Sequence, residues 1–215
     1  MIANPSQSSQ QSAADLWHKA VAFHGHECPG LAIGFKAVEA VVDEFGLNAG
    51  CLPVVDEELV CITENDACGV DAIQALLGCT YGKANLIPRL RGKMAFSFYI
   101  RDAALQDNVS QSAPSQGAVS ETAPSQGVRS MRLCLRPDLR GDMSREEYQA
   151  FLLATPYEDL FEIDKVICGL PEPARHFASL PCSICGESTA EYALRLQEGK
   201  PVCLDCYDAY EREGF

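Results

Sequence analysis

The sequence predicts an α+β core domain, with helices packed on a mostly antiparallel sheet, followed by a small C-terminal zinc-finger domain. Helical periodicity is clearest after Pro29, where apolar residues recur at alternating steps of four and three. Strand composition is clearest in residues 58–64, 94–101 and 131–136. Two C-x2-C pairs after Leu180 predict the finger.

Capping residues place the first helices. One helix is predicted from Asp15, near its N-cap, to about Phe23. The next has Pro29 at its first position and ends at Gly46.

Two further helices and a last strand follow along the chain. Apolar spacing predicts a helix over residues 70–77 that closes at Gly78. Ser144 and Glu147 have capping-box spacing and open a helix to about Leu153. Residues 165–168 are predicted as a final strand.

Composition also divides the chain. Residues 1–13 are rich in Ser and Gln, carry no charged side chain and predict a disordered lead-in. Residues 106–130 contain Ala-Pro-Ser-Gln-Gly twice and predict a low-complexity insertion loop. The expected domains are therefore a core over 14–170, a linker over 171–180 and a finger over 181–215.

Charge and cysteine count limit the function classes. The 215 residues include 17 Lys and Arg against 30 Asp and Glu, a net charge of −13, which argues against a broad surface for nucleic acid or anionic membranes. The chain has no apolar run long enough to span a membrane and no secretory signal, so a cytoplasmic protein is expected.

Eleven Cys cannot pair fully within one chain, and in a reducing compartment they serve as metal ligands, redox groups or apolar filler.

Four of these cysteines have the spacing of a structural zinc site. Cys182, Cys185, Cys203 and Cys206 form two C-x2-C pairs separated by seventeen residues. Four thiolates close a tetrahedral zinc shell, and metal binding would supply the folding free energy of so small a domain. The alternative is redox dithiols, although a redox C-x-x-C normally stands alone.

The finger resembles a treble clef, because a hairpin follows the first pair and a helix predicted from Asp205 to Arg212 carries the second pair. Such fingers often bind nucleic acid, but residues 181–215 carry three basic and seven acidic side chains. This balance favours a structural or protein-contact role. Cys51, Cys61, Cys79, Cys134 and Cys168 stand singly and are interpreted as filler.

The segment Phe-His-Gly-His-Glu-Cys-Pro-Gly, residues 23–30, places His24, His26 and Cys28 within five residues. Side chains two apart in an extended backbone point the same way, so the three could face one point. Cys28 also begins a helix, whose unpaired N–H groups favour its thiolate. The competing interpretation is a structural histidine beside an inert buried thiol.

A second segment, residues 65–71, adds Asp66, Cys68 and Asp71. Cys68 precedes a predicted helix as Cys28 does. Asp66 could instead be an N-cap and Asp71 an exposed carboxylate of the first turn. We expect both segments to form one metal site.

Both segments resemble the FmdE family, which is named after formylmethanofuran dehydrogenase. The resemblance lies in residues 23–34 and in residues 64–74, Glu-Asn-Asp-Ala-Cys-Gly-Val-Asp-Ala-Ile-Gln. Residues 80–86 resemble that family's next block, and the finger resembles a zinc module of some members. The resemblance implies an α+β core, often dimeric, with a pocket lined by both motifs. The repeat-bearing insertion departs from the pattern without disturbing either motif.

The sequence therefore predicts a metal-dependent protein linked to one-carbon (formyl) or molybdopterin-type oxidoreductase metabolism. His26, Cys28 and Cys68 are the predicted ligands of zinc or another divalent transition metal. His24, Asp66 and Asp71 are the predicted catalytic groups, or supply the fourth ligand or its support. An open position would let the ion activate water or polarise a one-carbon carbonyl.

Two other functions are open at this stage. The protein could be a non-catalytic accessory that delivers metal or a cofactor to an oxidoreductase, or a regulator that binds nucleic acid through the finger. A homodimer, an oxidoreductase partner and a small-molecule ligand are the expected partners. A closed shell of four ligands would favour the accessory role, and an open shell facing a cavity would favour catalysis.

Overall fold

The computed structural model describes residues 12–54, 58–101 and 128–209. The chain divides after Pro173 into two compact units. The first carries helices and a five-stranded sheet, which confirms the predicted α+β class. Residues 1–11 of the predicted lead-in and residues 102–127, most of the predicted insertion, lie outside the described residues.

Helices of the first unit follow the predicted capping signals closely. They are α1 (Ala13–His24), α2 (Pro29–Glu44), α3 (Gly69–Ala72, continuing as a π-helical turn Ile73–Leu77), α4 (Arg145–Ala154) and α5 (Tyr157–Leu160), with a 3₁₀ turn at Ala49–Cys51. The capping box of Ser144 and Glu147 is confirmed. In α1 the N-cap is Ser12, because Asp15 completes a capping box with it from the first turn.

The sheet has the order β2-β1-β3-β4-β5. Its strands are β1 (Leu59–Thr63), β2 (Leu86–Pro88), β3 (Ala95–Arg101), β4 (Val128–Leu135) and β5 (Phe161–Asp164). Only β1 and β2 pair in parallel; the other three pairs are antiparallel. The short strand β2 was not predicted: the buried Asn85 side chain aligns it, donating to Leu59 O and accepting from Thr80 N.

The last strand of the first unit is not where the sequence placed it. The prediction for residues 165–168 was wrong, because β5 ends at Asp164. The following segment instead packs Val166 and Cys168 on the face of the sheet that carries Tyr99. The Tyr99 hydroxyl donates to the Cys168 carbonyl at 2.5 Å, which satisfies a buried polar group. Strand β4 also begins at Val128, inside the predicted insertion.

The core lies between the helices and the other face of the sheet. Ten residues of α2 are buried, and all five residues of β1 are buried. Cys61 and Cys79 are buried, in agreement with their interpretation as filler, and burial raises the pKa of Cys79 to about 12. Cys51 is exposed, which contradicts that interpretation.

Within the described ranges, no helix combines the length and apolar character needed to cross a membrane.

A buried ion pair joins the end of β1 to β4. The Arg132 guanidinium donates from Nε and Nη2 to the two Glu64 oxygens at 2.6 and 3.0 Å. This bidentate contact holds the pKa of the Glu64 carboxyl below its ordinary value of 4.5, against the effect of burial. Glu64 stands two residues before Asp66, so the pair anchors the backbone that leads into the second motif.

We expect Glu64→Gln to lower the free energy of unfolding by about 2 kcal/mol at pH 7. A lowered folded-state pKa gives stability that is present above pH 4.5 and is lost as the pH falls through the lowered value. Denaturant unfolding from pH 7 to 3 should show the difference between native and variant shrink below pH 4.5. Glu162→Gln, which breaks the exposed 3.6 Å contact with Arg136, should have little effect.

The second unit consists of two short antiparallel hairpins. Strands β6 (Ser179–Pro181) and β7 (Ser188–Ala190) form one, and β8 (Leu194–Gln197) and β9 (Lys200–Cys203) form the other, with a 3₁₀ turn at Glu191–Ala193. Strand β6 begins within the segment 171–180 that was predicted as a linker. The predicted helix after Asp205 is absent through Ala209, since the Asp208 amide donates to the Gln197 side chain; residues 210–215 lie outside the described residues.

Candidate metal centre

The first motif, residues 23–30, and the second motif, residues 65–71, meet because α2 and α3 pack backbone against backbone. A Cβ added to Gly34 would lie 2.1 Å from the carbonyl oxygen of Gly69, and one added to Gly69 would lie 3.0 Å from Gly30 O. Only glycine permits this approach. Cys28 is the N-cap of α2, and Cys68 is the N-cap of α3, so the close crossing brings the two thiols together.

Three metal-ligating side chains converge at this crossing. The donor atoms of His24, Cys28 and Cys68 all lie within 4.8 Å of one another. Zn–S bonds of about 2.3 Å and Zn–N bonds of about 2.1 Å place the ligands of one ion about 4 Å apart, so small side-chain movements would let the trio share an ion. We refer to these three residues as the trio.

A carboxylate orients the histidine of the trio. His24 Nδ1 lies 2.7 Å from Asp71 Oδ2, and the Gln74 amide donates to the other Asp71 oxygen at 3.2 Å. His24 Nε2 then faces the Cys28 sulfur at 3.7 Å. A carboxylate on one ring nitrogen, with the other nitrogen aimed at the ligand position, is the arrangement that surrounds histidine ligands of zinc.

The two thiols of the trio have different electrostatic surroundings. The Leu31 N–H donates to the Cys28 sulfur at 3.3 Å, and the first turn of α2 favours negative charge there. Burial raises the pKa of the Cys68 thiol, and its hydrogen bond with Cys28 and the Cys28 charge raise it further. Two thiolates at this distance repel each other unless a cation binds both. A divalent ion would therefore displace the proton from the Cys68 thiol.

The structure distributes the predicted site residues differently from the prediction. His24 belongs to the trio, although the prediction assigned it a catalytic role. His26 was predicted as a ligand but is exposed and lies outside the trio, its ring 4.5 Å from the His24 ring. His24 is the last residue of α1, and the left-handed Gly25 then turns the chain. Because the helix continues to His24, the alternation expected of an extended backbone does not apply.

The two carboxylates of the second motif also differ. Asp71 contacts His24, as a supporting group would, and lies on the first turn of α3. Asp66 is exposed and lies outside the trio. The side chain that shapes this turn is Asn65, which accepts from Ala67 N and donates to the carbonyls of Lys93 and Ala95.

The sequence patterns did not indicate roles for Asn65, Gln74 or the three glycines that allow the crossing. Gly30 and Gly34 are four residues apart on a predicted helix, and this spacing of small residues was the signal available for a close helix contact. Asn65 and Gln74 carried no comparable signal, because their roles depend on partners far along the chain.

We expect Asp71→Asn to weaken metal binding by the trio by about 10–100-fold. The amide can still hydrogen-bond His24, but it removes the negative charge that strengthens the imidazole as a ligand. Competition with a calibrated chelator would measure the change. Asp66→Asn is the matched control, and an equal loss in both variants would contradict the role of Asp71.

The second unit brings its four cysteines together. The sulfurs of Cys182, Cys185, Cys203 and Cys206 lie within 4.8 Å of one another, as a small zinc-finger domain requires. The N–H groups of Cys203 and Ile184 donate to the Cys182 sulfur, and backbone hydrogen bonds lower the pKa of Cys182 to about 6. Gly186, with φ +78°, closes the turn after the first pair.

Comparison with known proteins agrees with this architecture. The family model "FmdE, Molybdenum formylmethanofuran dehydrogenase operon" matches residues 23–162. A tungsten formylmethanofuran dehydrogenase FmdE-like protein from Syntrophus aciditrophicus has the same fold, with a TM-score of 0.57 and 19% identity, over 95% of this chain and 96% of that one.

A curated relative from Archaeoglobus fulgidus, a probable S-adenosyl-L-methionine-binding protein, is 27% identical over 213 residues. The match takes in 97% of this chain but 56% of the relative. The chain therefore spans little more than half the length of that protein.

Proposed function

The chain belongs to the FmdE family, and within it we propose a metal-dependent protein whose trio of His24, Cys28 and Cys68 holds a zinc-like divalent ion. The observation that carries this proposal is the convergence of three nitrogen and sulfur donors within 4.8 Å, together with the Asp71 contact behind the histidine. One imidazole and two thiols form a soft donor set, which suits zinc over magnesium or calcium.

Among the residues that the structure describes, three donors converge at this site, and that number favours catalysis. Structural zinc sites have four protein ligands, whereas catalytic sites have three, among them the Cys₂His set, and leave one position open. An ion at such a site supplies Lewis acidity toward a carbonyl or phosphoryl oxygen. A carbonyl compound of one-carbon metabolism is the proposed substrate class, in keeping with the family description.

The chain's own residues would prepare this site before any ligand arrives. The Leu31 N–H stabilises charge on the Cys28 sulfur, and Asp71 keeps His24 Nδ1 occupied so that Nε2 remains free to bind. Glu64 and Asn65 hold the backbone ahead of Cys68 through Arg132 and the carbonyls of Lys93 and Ala95. These contacts hold the donors in place, which a catalytic site requires.

Metal analysis of the purified chain tests the proposal. We expect two ions per chain, one at the trio and one at the finger, and Cys28→Ala should lose one of them. Cys51→Ala, which changes an exposed cysteine, should keep both. A Cys28→Ala protein that retains two ions, or a native protein that never binds more than one, would overturn the metal site.

A second candidate function is a non-catalytic accessory that carries metal or a cofactor. The name of the curated relative, a binding protein, favours it. Cobalt substitution separates the two functions, because an open position lets added imidazole change the Co(II) absorption spectrum. A spectrum that does not respond would favour the accessory role, and rapid transfer of the trio's ion to a chelator would support it.

The proposed setting is the cytoplasm, and the proposed assembly is a homodimer that works beside an oxidoreductase. None of the eleven cysteines forms a disulfide, which suits a reducing compartment. Light scattering after size-exclusion chromatography would test the dimer: a mass of 23.3 kDa would contradict it.

A further inference from the structure

One stretch of this acidic chain has the opposite charge. Residues 72–101 contain no Asp or Glu and five basic residues, although the whole chain has a net charge of −13. Three of these cations lie in the segment Arg89-Leu90-Arg91-Gly92-Lys93, which connects β2 to β3. We call residues 89–93 the basic loop.

The basic loop lies alongside the backbone that leads to the trio. Strands β1 and β2 are parallel, so their carboxyl ends lie at the same edge of the sheet. Beyond that edge the basic loop is hydrogen-bonded to the end of β1 and the residue after it. Arg89 N donates to Thr63 O and Arg91 N donates to Glu64 O, both at 2.8 Å.

Asn65 continues this connection toward the site. Its amide nitrogen donates to Lys93 O at 3.2 Å, while its oxygen accepts from Ala67 N, the residue before Cys68. The basic loop and the Cys68 turn are thus attached to one buried side chain. Their relative position is set by hydrogen bonds.

The cations of this loop keep donor groups for a ligand, although Arg91 Nη1 donates to the neighbouring Leu90 O at 2.9 Å. Arg91 and Lys93 are exposed and Arg89 is half-buried. Within residues 12–54, 58–101 and 128–209, no carboxylate forms a salt bridge with any of the three. Both carboxylate oxygens of the nearby Glu64 accept hydrogen bonds from Arg132. The Arg132 hydrogen bonds lower the pKa of Glu64 most, and the charges of Lys93 and Arg89 lower it further.

We propose that the basic loop binds the anionic group of a small organic ligand whose other end reaches the ion held by the trio. The ligand class is an organic anion that carries a carboxylate or phosphate at a distance from its reacting group. Arginine suits both anions, because its guanidinium can donate two parallel hydrogen bonds. This inference rests on the proposed metal site and adds the charge of its ligand.

Matched thiols test the inference on the full-length Co(II)-loaded protein. The anionic probes are 3-mercaptopropionate and 6-mercaptohexanoate, and the neutral probes are 3-mercaptopropanol and 6-mercaptohexanol. Each binds an open cobalt position through sulfur and changes the absorption spectrum. The closed four-thiolate finger has no open position, so Cys28→Ala should remove the response.

We expect at least one anionic thiol to bind about 10-fold more tightly than its neutral partner at low ionic strength, and salt to reduce this preference. The triple variant Arg89→Gln, Arg91→Gln, Lys93→Gln should bind both members of a pair alike. Lys165→Gln, an exposed cation that follows the opposite edge strand β5, should keep the preference. Circular dichroism would verify that the variants are folded.

The outcomes separate the inference from the proposed function. If neutral and anionic thiols bind the native protein equally well, or if the triple variant keeps the preference, the ligand inference is wrong while the open metal position stands. If no thiol changes the cobalt spectrum of the native protein, the open position is wrong and the inference falls with it.

Discussion

Gly34→Ala is expected to lower the free energy of unfolding by about 3–5 kcal/mol, because its new methyl group would meet backbone instead of a movable side chain. The added Cβ would lie 2.1 Å from Gly69 O and 2.5 Å from Gly69 Cα. Neither atom can move unless α2 and α3 separate. Since Cys28 and Cys68 cap those helices, separation would also pull the trio apart, and metal binding there should weaken together with stability.

Denaturant unfolding and metal competition would measure the two effects on the same sample. Gly82→Ala is the matched control, because a Cβ there has nothing within 4 Å, and it should change both quantities little. A Gly34→Ala protein with native stability and native metal affinity would show that the helix crossing does not assemble the site.

Cys203→Ala is expected to unfold the second unit while the first unit stays folded. Among residues 174–209, the buried hydrophobic cluster of the second unit consists of Cys182, Val202 and Cys203, which is too small to stabilise a domain of this size. A structural zinc ion supplies about 10–16 kcal/mol of binding free energy to small fingers. Removal of one of four thiolates should therefore cost the ion and the fold together.

Limited proteolysis and metal analysis of the full-length variant would check this expectation. New cleavage should appear between Ala174 and Ala209, one ion should be lost, and the trio should keep its own ion. Cys134→Ala, which changes a half-buried cysteine outside both clusters, is the control. A Cys203→Ala protein that resists protease as the native chain does would show that the second unit does not depend on metal for its fold.

Much of the local structure could be predicted from residue patterns. The helix after Pro29, the strand before Asn65 and the capping box at Ser144 all depend on neighbours within a few residues. The predictions of local structure were wrong where the conformation of a segment depends on a residue far along the chain. Strand β2 depends on the Asn85 contacts with Leu59 and Thr80, and the predicted strand at 165–168 was replaced by packing against Tyr99.

The candidate site follows the same division. Residue types and spacing predicted Cys28, Cys68 and the four finger cysteines as ligands, since C-x2-C pairs and thiols at helix starts are local features. The sequence predicted His26 as the ligand, whereas the structure brings His24 to the sulfurs, because α1 continues to His24 before the chain turns. The role of Asp71 required a contact across 47 positions of the chain.

The amino-acid sequence alone specified the helices α1 to α4, the strands β1, β3 and β4, the FmdE resemblance and the finger spacing, because each depends on residues that are near one another in the chain. It did not specify which imidazole lies with the thiols, or that a basic loop is hydrogen-bonded to the backbone that leads to Cys68. Those features arise only when Gly30 and Gly34 let α2 approach Gly69 and when β1 and β2 end at the same edge. Steric fit and hydrogen bonding between distant segments decide them, and neither leaves a periodic signal in the chain.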